Sequence, residues 1–255
     1  MLDHTARDMG RIGRTPLASR GTTLSARIVA DVREALFDKA LKPGDFLGTE
    51  KDLAARFGVS RIVARDALRT LEALGIVEIR VGAGGGARIA RGNPLLFAEA
   101  LAVQLDLTGV TVREILDAQR AIECLAAELA AEHASAEDHA KLRRLIAEAE
   151  ELIDQRDAFT RASLAFHLAV AEASHNRVLV VQLVSLQHVS WPSHNRTLTP
   201  DVARHILAAH RELADAIALR DPARARALMD DHVRMIRARR VAEHGETLAQ
   251  SHACC

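Results

Sequence analysis

Cysteine is scarce in this chain, and what is missing restricts both its location and its chemistry. Of three cysteines in 255 residues, Cys124 lies within a helical pattern, and Cys254 and Cys255 end the chain. They offer neither a paired disulfide framework nor a Cys-x-x-Cys metal knuckle, so a reducing cytoplasm is the predicted location. No stretch approaches the roughly 18 apolar residues that a membrane span needs.

Catalytic signatures and net charge are missing as well. Neither the nucleophile motif Gly-x-Ser-x-Gly nor the zinc-protease motif His-Glu-x-x-His occurs, which argues against an enzyme. The formal net charge is +0, but residues 1–91 hold 16 Lys+Arg against 11 Asp+Glu, and the remainder hold 18 against 23. This asymmetry is typical of a protein in which one domain meets phosphates and the other does not.

Two short amphipathic helices with a tight turn between them are predicted early in the chain. Thr49 is placed to cap the first helix, Gly58 allows the sharp turn, and Ser60 is placed to cap the second helix. The predicted inward faces are Leu53, Ala54 and Phe57 on the first helix, and Val63, Ala67, Leu68, Leu71 and Leu74 on the second. This pattern predicts a helix-turn-helix.

Arginines line another face of the second helix. Arg61, Arg65 and Arg69 recur every four residues, so their guanidinium groups form a row. Such a row fits a DNA major groove, although a solvated helix face explains the arginines alone equally well. The segment that follows therefore decides between the two interpretations.

After this helix the sequence predicts two strands, 76–80 and 87–91, joined by a glycine-rich tip. Arg80 and Arg88 flank the tip. Glycines there let the backbone approach a phosphate or a minor groove closely, and no long helix follows as in a dinucleotide-binding loop. The hairpin completes a winged helix-turn-helix, which favours DNA binding.

From Leu41 to Val77 the chain reads LKPGDFLGTEKDLAARFGVSRIVARDALRTLEALGIV, which resembles the GntR family of transcriptional regulators at nearly every helix and turn position. It departs from the family pattern at Gly48, where proline is usual, and at Val63, where proline or threonine is usual. The resemblance implies that the residues contacting operator DNA are Lys51, Arg61, Arg65 and the wing tip at Gly84, Gly85 and Gly86. The helix pattern adds Ser60 and Arg69 to these candidates.

Everything after Asn93 and Pro94 is predicted to be helical. Apolar residues at three-and-four spacing indicate helices near 95–105, 112–133, 136–153, 157–174, 176–191, 200–219 and 222–242. The predicted organisation is a disordered arm at 1–21, a winged helix-turn-helix at 22–91, a linker and first helix at 92–111, an effector-binding domain at 112–242 and a tail at 243–255. The fold class is mainly α, with an all-α antiparallel helical bundle after the DNA-binding domain.

Histidine is concentrated in the helical half, where eleven of the twelve histidines lie after residue 92. His167, His210 and His232 each share or border an apolar stripe, and they belong to three different predicted helices. Imidazoles aimed inward from three helices can converge on one metal ion such as Zn or Ni, whereas a hydrogen-bonded core histidine explains each one alone.

Three segments, EILDAQRAIECLAAELAA, FHLAVAEASHNRVL and HRELADAIALRDPARARALMDDHV, resemble the FCD effector-binding domain of the FadR-type branch of the same family. With the DNA-binding half, the resemblance covers about residues 22–240. It implies a divalent metal held by His167, His210 and His232, but Ser163 stands where many such domains have an aspartate ligand. Water or an effector would then complete the coordination shell.

A second arrangement dispenses with the metal. The three histidines and Arg120 can bind a small organic acid directly, with the guanidinium forking onto a carboxylate. Arg120 matches the family's arginine of the first effector-domain helix, and a surface salt bridge with Glu123 or Asp117 is the alternative. Trp191, His194 and His205 are candidates for the edge of the cavity.

These observations predict a homodimeric transcription regulator, by default a repressor, that binds a roughly palindromic operator and responds to a small organic acid. Two alternatives remain open at this stage. One is a metal-dependent hydrolase built on the three histidines, and the other is a constitutive DNA binder without an effector. Neither explains both halves of the chain.

Overall fold

The structure, a computed structural model, describes residues 23–82, 84–190 and 198–244. The arm predicted at 1–21, most of the predicted tail, Trp191 and His194 lie outside the described residues. The chain forms two compact units that meet between Leu96 and Phe97. This division falls inside the segment predicted as the linker and first helix.

The described residues of the first unit form three complete helices and three strands. In chain order they are α1 (Leu24–Phe37), β1 (Phe46–Gly48), α2 (Glu50–Phe57), α3 (Arg61–Ala73), β2 (Val77–Arg80) and β3 (Gly86–Ile89). The predicted caps are present: Thr49 Oγ1 accepts from the amide of Asp52 at 3.3 Å, and Ser60 Oγ accepts from the amide of Val63 at 3.3 Å. Gly58 adopts φ 64°, which turns the chain between α2 and α3.

The strands form one antiparallel sheet in the order β1-β3-β2. Val77 of β2 pairs with Ile89 of β3, and Arg80 pairs with Gly86 at the tip end. The predicted hairpin is therefore present, but β3 begins and ends earlier than the predicted second strand. Strand β1 was not predicted, because three residues are too few to display an alternating pattern.

The core of the first unit lies between the three helices and the sheet. It is formed by apolar side chains of α1, α2, α3, β2 and β3 that include Ile28, Val32, Leu53, Leu71, Val77 and Ile89. The prediction that Leu74 faces inward is wrong, since its side chain is 57% exposed. Leu74 caps the C-terminus of α3, where the chain leaves the helical path before Gly75.

The second unit is helical throughout its described part. Its helices, with the one that leads into it, are α4 (Pro94–Thr108), α5 (Val112–His133), α6 (Ala136–Glu150), α7 (Arg156–Ala173), α8 (Arg177–Ser190), α9 (Pro200–Ala218) and α10 (Pro222–His244). Helix α6 ends three residues earlier than predicted, because a turn follows Glu150 before Gln155 starts α7. The predicted fold class, mainly α with a winged helix-turn-helix followed by a helical bundle, is confirmed.

Helix α5 is central in this unit, packing against α7, α8, α9 and α10. The largest apolar side chains of the core, Phe159 and Phe166 on α7, are each 1% exposed, and Leu207 and Leu213 on α9 are equally buried. This arrangement brings α7, α9 and α10, the three helices that carry the predicted histidines, around one interior region.

Candidate functional site

The arginine face of α3 lies in solvent. Arg61, Arg65 and Arg69 are all exposed, and Lys51 on α2 is exposed as well. The hydroxyl of Ser60 is engaged in capping α3. The first unit therefore presents a basic helix face without apolar cover, the geometry by which a recognition helix enters a major groove.

Arg65 is held in place by a residue that the sequence analysis missed. Its Nε and Nη2 donate to Glu50 Oε1 and Oε2 at 2.7 and 2.9 Å. The hydrogen bond from Arg65 lowers the pKa of the Glu50 carboxyl. Because an exposed pair of this kind contributes only about 0–1 kcal/mol, a DNA phosphate can compete for the guanidinium.

Ile62 is a second residue of this face that the sequence analysis missed. Its side chain is 78% exposed, although isoleucine is usually buried. Ile62 precedes Arg65 by three residues and Arg69 by seven, so it lies on the arginine side of α3. An exposed apolar side chain among arginines can contact a thymine methyl group, the apolar feature of the major groove.

The wing tip depends on glycine for steric reasons. Gly84 has φ 78°, a left-handed conformation that favours glycine. A Cβ on Gly85 would lie 2.4 Å from the carbonyl oxygen of Arg80, so no larger residue fits without movement of the backbone. The Gly85 amide donates to the Gly82 carbonyl at 2.9 Å, which closes the turn.

The two arginines beside the wing differ in their contacts. Arg80 is exposed at the end of β2, with Nη2 3.9 Å from Glu78 Oε2. Arg88 instead lies over the ring of Phe46, with Cζ 5.1 Å from the ring centroid, and donates to the Gly44 carbonyl. Arg88 therefore packs across the sheet and is half-buried.

In the helical unit the three predicted histidines meet. His167, His210 and His232 are 3%, 1% and 4% exposed. His232 Nε2 lies 3.2 Å from His167 Nε2 and 3.2 Å from His210 Nε2. Within the described residues they form the group able to hold a metal ion, with donor nitrogens within 4.8 Å of one another.

Burial favours the neutral imidazole at His210 and at His232. Burial lowers the pKa of His210 well below its usual value, and His167 and His232 lower it further. Burial also lowers the pKa of His232 to about 3, followed by the effects of His167 and His205. Neutral imidazoles keep the lone pairs that bind a metal, so the donor set fits Zn or Ni.

Two polar side chains of α5 extend the cluster, and the sequence analysis did not place them there. Glu123 is 1% exposed, and its Oε2 lies 2.5 Å from His167 Nδ1. Gln119 is 4% exposed, and its Nε2 donates to Glu123 Oε1 at 2.6 Å. The signal in the sequence was a carboxylate beside Cys124 and one turn after Gln119, within the helix predicted at 112–133.

Arg120 forms its ion pair with neither Glu123 nor Asp117, the two partners of the alternative surface salt bridge. Its Nε donates to Asp230 of α10, while Asp117 pairs with Arg237 at 3.0 Å. The error arose because spacing along one helix says nothing about the partners that a second helix presents. Arg120 thus joins α5 to α10.

Ser163 is half-buried on α7, one turn before His167. It supplies no carboxylate to the histidine nitrogens. A metal ion there would take three nitrogens from the protein and leave further positions for water or another ligand. Two buried atoms of these side chains, His232 Nδ1 and Gln119 Oε1, have no hydrogen-bond partner, so the polar cluster is not fully satisfied by the protein itself.

The buried imidazoles predict an acid-sensitive helical domain. The folded pKa values of His210 and His232 lie below the unfolded value of about 6.5, so the unfolded chain binds more protons as the pH falls. The stabilisation is complete above that pH, and the free energy of unfolding should drop by up to about 1.4 kcal/mol per pH unit for each of His210 and His232. Urea unfolding followed by circular dichroism, in EDTA at several pH values, measures this slope.

The control for this measurement compares His232→Gln with His133→Gln. His133 is an exposed histidine at the end of α5. The first variant should flatten the pH dependence and the second should leave it unchanged. Equal pH slopes in the unmodified protein and in both variants would show that the buried cluster does not cause the pH dependence.

A winged helix-turn-helix with an exposed basic helix, followed by a separate helical unit with a buried polar cluster, defines a two-domain DNA-binding transcription regulator. Comparison with known families agrees. Residues 24–86 match the family of bacterial regulatory proteins named gntR, and residues 114–235 match the FCD domain. The chain belongs to the GntR family of transcription regulators, in the branch that carries an FCD domain.

Curated relatives cover most of the chain. The Uxu operon regulator of Haemophilus influenzae is 30% identical over 200 residues, spanning 76% of this chain and 73% of that protein. A putative L-lactate dehydrogenase operon regulatory protein of Escherichia coli is 33% identical over 84% of each chain. The Glc operon transcriptional activator of Escherichia coli is 29% identical over 82% of this chain and 86% of that protein.

A solved structure supports the fold. The GntR protein of Streptococcus agalactiae superposes with a TM-score of 0.58 at 20% identity, over 84% of this chain and 99% of that one. The family and the named relatives are regulators, so the chain is a regulator and not an enzyme. No helix in the described part combines the length and apolar character that crossing a membrane requires.

Proposed function

We propose that this protein is a repressor that binds a roughly palindromic operator as a homodimer and is released from it by a small carboxylate effector. The exposed arginine face of α3 beside a glycine-tipped wing is the observation that carries the DNA-binding part. In a dimer the two α3 helices enter successive major grooves. The proposed DNA contacts are Lys51, Ser60, Arg61, Arg65, Arg69, Gly84 and Gly85.

The histidine cluster is the proposed sensor. His167, His210 and His232 would hold a divalent ion such as Zn or Ni, and the ion, when bound, would supply a Lewis-acidic point for a carboxylate. The names of the relatives support an acidic ligand, because one of them includes L-lactate, a small carboxylate.

Arg120 is the second proposed contact to the effector. Its guanidinium now pairs with Asp230 and is about one-third exposed. A carboxylate effector would compete with Asp230 for this guanidinium, which would loosen the link between α5 and α10. An effector that favours the arrangement with the weaker operator affinity would lower operator binding, and the operator would lower effector binding by the same factor.

The proposal is tested by selecting a preferred duplex from a random DNA library with the purified full-length protein. Affinity for the selected duplex should exceed that for random duplex by about 10³-fold or more at moderate salt. A panel of small carboxylates, with and without zinc, should then contain one that lowers operator affinity. No preference between duplexes would refute the DNA-binding part, and preference without any effector response would indicate a constitutive binder.

Ile62 gives a specific prediction for operator recognition. Ile62→Ala should weaken binding to the selected duplex by about 1 kcal/mol, the cost of losing an apolar contact of about one methylene or more. Binding to random duplex should not change, because no charge is removed. Fluorescence anisotropy with both duplexes measures the two affinities.

A matched control is Val178→Ala, since Val178 is 67% exposed in the helical unit. This variant should bind the selected duplex like the unmodified protein. Substituting uracil for thymine in the duplex should weaken binding of the unmodified protein as much as Ile62→Ala does. The same substitution should not weaken binding of the Ile62→Ala variant. If uracil weakens binding equally in the unmodified protein and in the Ile62→Ala variant, Ile62 does not contact a thymine methyl group.

A further inference from the structure

We propose that Glu123 is the positioning residue of the histidine cluster, and that it supplies beside the metal the carboxylate charge that Ser163 does not. Its role is indirect: it holds His167, and His167 contacts the ion. This inference rests on the proposed metal site. It deepens that proposal by assigning the fourth side chain on which metal affinity depends.

The Glu123 carboxylate contacts the His167 ring on the side away from the other two histidines. Glu123 Oε2 lies 2.5 Å from His167 Nδ1, while His167 Nε2 faces His232 Nε2 at 3.2 Å. A carboxylate accepts, so Nδ1–H donates to it, and Nε2 is left as the ring nitrogen that can bind an ion. The contact thus selects the tautomer whose free nitrogen points into the cluster, as a carboxylate behind a metal-bound histidine does.

Burial of the Glu123 side chain also has an electrostatic consequence. Burying a carboxylate is costly unless hydrogen bonds and an opposite charge compensate. Glu123 is 1% exposed, and its hydrogen-bond partners are Gln119 and His167, neither of which carries a fixed positive charge. A divalent ion held by the His167 nitrogen on the far side of the ring would provide that charge.

The Glu123 side chain is itself fixed by a hydrogen bond within α5. Gln119 donates to its second carboxylate oxygen at 2.6 Å from one turn earlier on α5. Both oxygens therefore have partners, and the carboxylate cannot rotate freely away from His167. Arg120, which lies between them in sequence, is directed to Asp230. Two hydrogen bonds thus connect Gln119 to Glu123 and Glu123 to His167, and they link α5 to the cluster.

The test compares three substitutions in the full-length protein by titration with Co(II) and Zn(II). Glu123→Gln removes the charge but keeps an acceptor oxygen, and it should weaken metal binding about 10–100-fold. Glu123→Met removes the acceptor too and should weaken it further. Glu128→Gln is the matched control, because Glu128 lies on the same helix and pairs with Arg226 at the surface.

Two measurements separate the proposed positioning role of Glu123 from a purely structural role. Circular dichroism reports whether each variant folds, and the visible spectrum of bound Co(II) reports its coordination. In the unmodified metal-free protein, nitrogen NMR of the His167 ring should show the proton on Nδ1. This last measurement needs no variant, so it tests the hydrogen bond from His167 Nδ1 to Glu123 even if the Glu123 variants fail to fold.

The outcomes distinguish a failure of the proposed role of Glu123 from a failure of the proposed metal site. If the protein binds Co(II) and His210→Ala does not, but Glu123→Gln binds as tightly as Glu128→Gln, the inference is wrong and the metal site stands. A His167 ring protonated on Nε2 in the metal-free protein overturns the inference as well. If the unmodified protein binds neither metal, the metal site and the role of Glu123 fall together, while the DNA-binding proposal is unaffected.

Discussion

Replacing His210 by alanine is expected to lower the affinity of the protein for zinc by more than about 100-fold, beyond the loss typical of a residue that only supports a metal ligand. His210 would provide one of three nitrogens, and two imidazoles cannot complete a protein site for this ion. The metal content of protein equilibrated with zinc, measured by mass spectrometry, gives the result directly.

His210 also has a packing role that the experiment must separate. Its ring stacks on Phe166 with centroids 4.1 Å apart. His210→Ala therefore leaves a cavity, and some loss of stability accompanies it. His232→Gln, which removes a ligand while nearly preserving volume, should lose zinc equally, and His133→Ala on the surface should retain it. Full zinc occupancy in both cluster variants would contradict the metal site.

Arg61→Ala is expected to produce the largest loss of operator recognition. Arg61 lies in the first turn of α3, the part of a recognition helix that contacts base edges, whereas Arg65 is partly committed to Glu50. Losing a bidentate contact to guanine would cost about 1–3 kcal/mol for the preferred duplex. Anisotropy titrations with the selected and random duplexes at two salt concentrations measure this loss.

The matched control is Arg161→Ala, which removes the same charge from an exposed position on α7 in the helical unit. It should bind the selected duplex normally. If Arg61 contacts a base, the Arg61→Ala variant should discriminate less at one base pair of the selected duplex. If it contacts a phosphate, binding should weaken on every duplex and the salt dependence should become shallower. Unchanged affinity for the selected duplex would remove Arg61 from the interface.

Local signals in the chain predicted most of the fold. Thr49 and Ser60 cap helices where the sequence indicated, because a side-chain cap bonds an amide two or three residues away. The helical half was predictable for a similar reason, since apolar spacing reports which side of each helix is buried. Leu74 shows where this reasoning fails: the pattern continued one residue past the point at which α3 ends.

The histidine cluster was predictable only in part. Inward positions for His167, His210 and His232 followed from periodicity on each helix, but their 3.2 Å nitrogen contacts required three helices to pack in one arrangement. Whether an inward histidine meets another histidine or an apolar wall depends on helix crossing and register. The sequence of a single helix does not encode either.

The chain by itself determined the elements, their caps and the polarity of their faces, because these depend on atoms a few residues apart. Packing alone decided which charged groups meet. Arg120 and Asp230 are 110 residues apart, and Glu123 and His167 are 44 apart. Burial then gives these pairs their importance, since a buried carboxylate or imidazole depends on the few neighbours that the tertiary structure brings within hydrogen-bond distance.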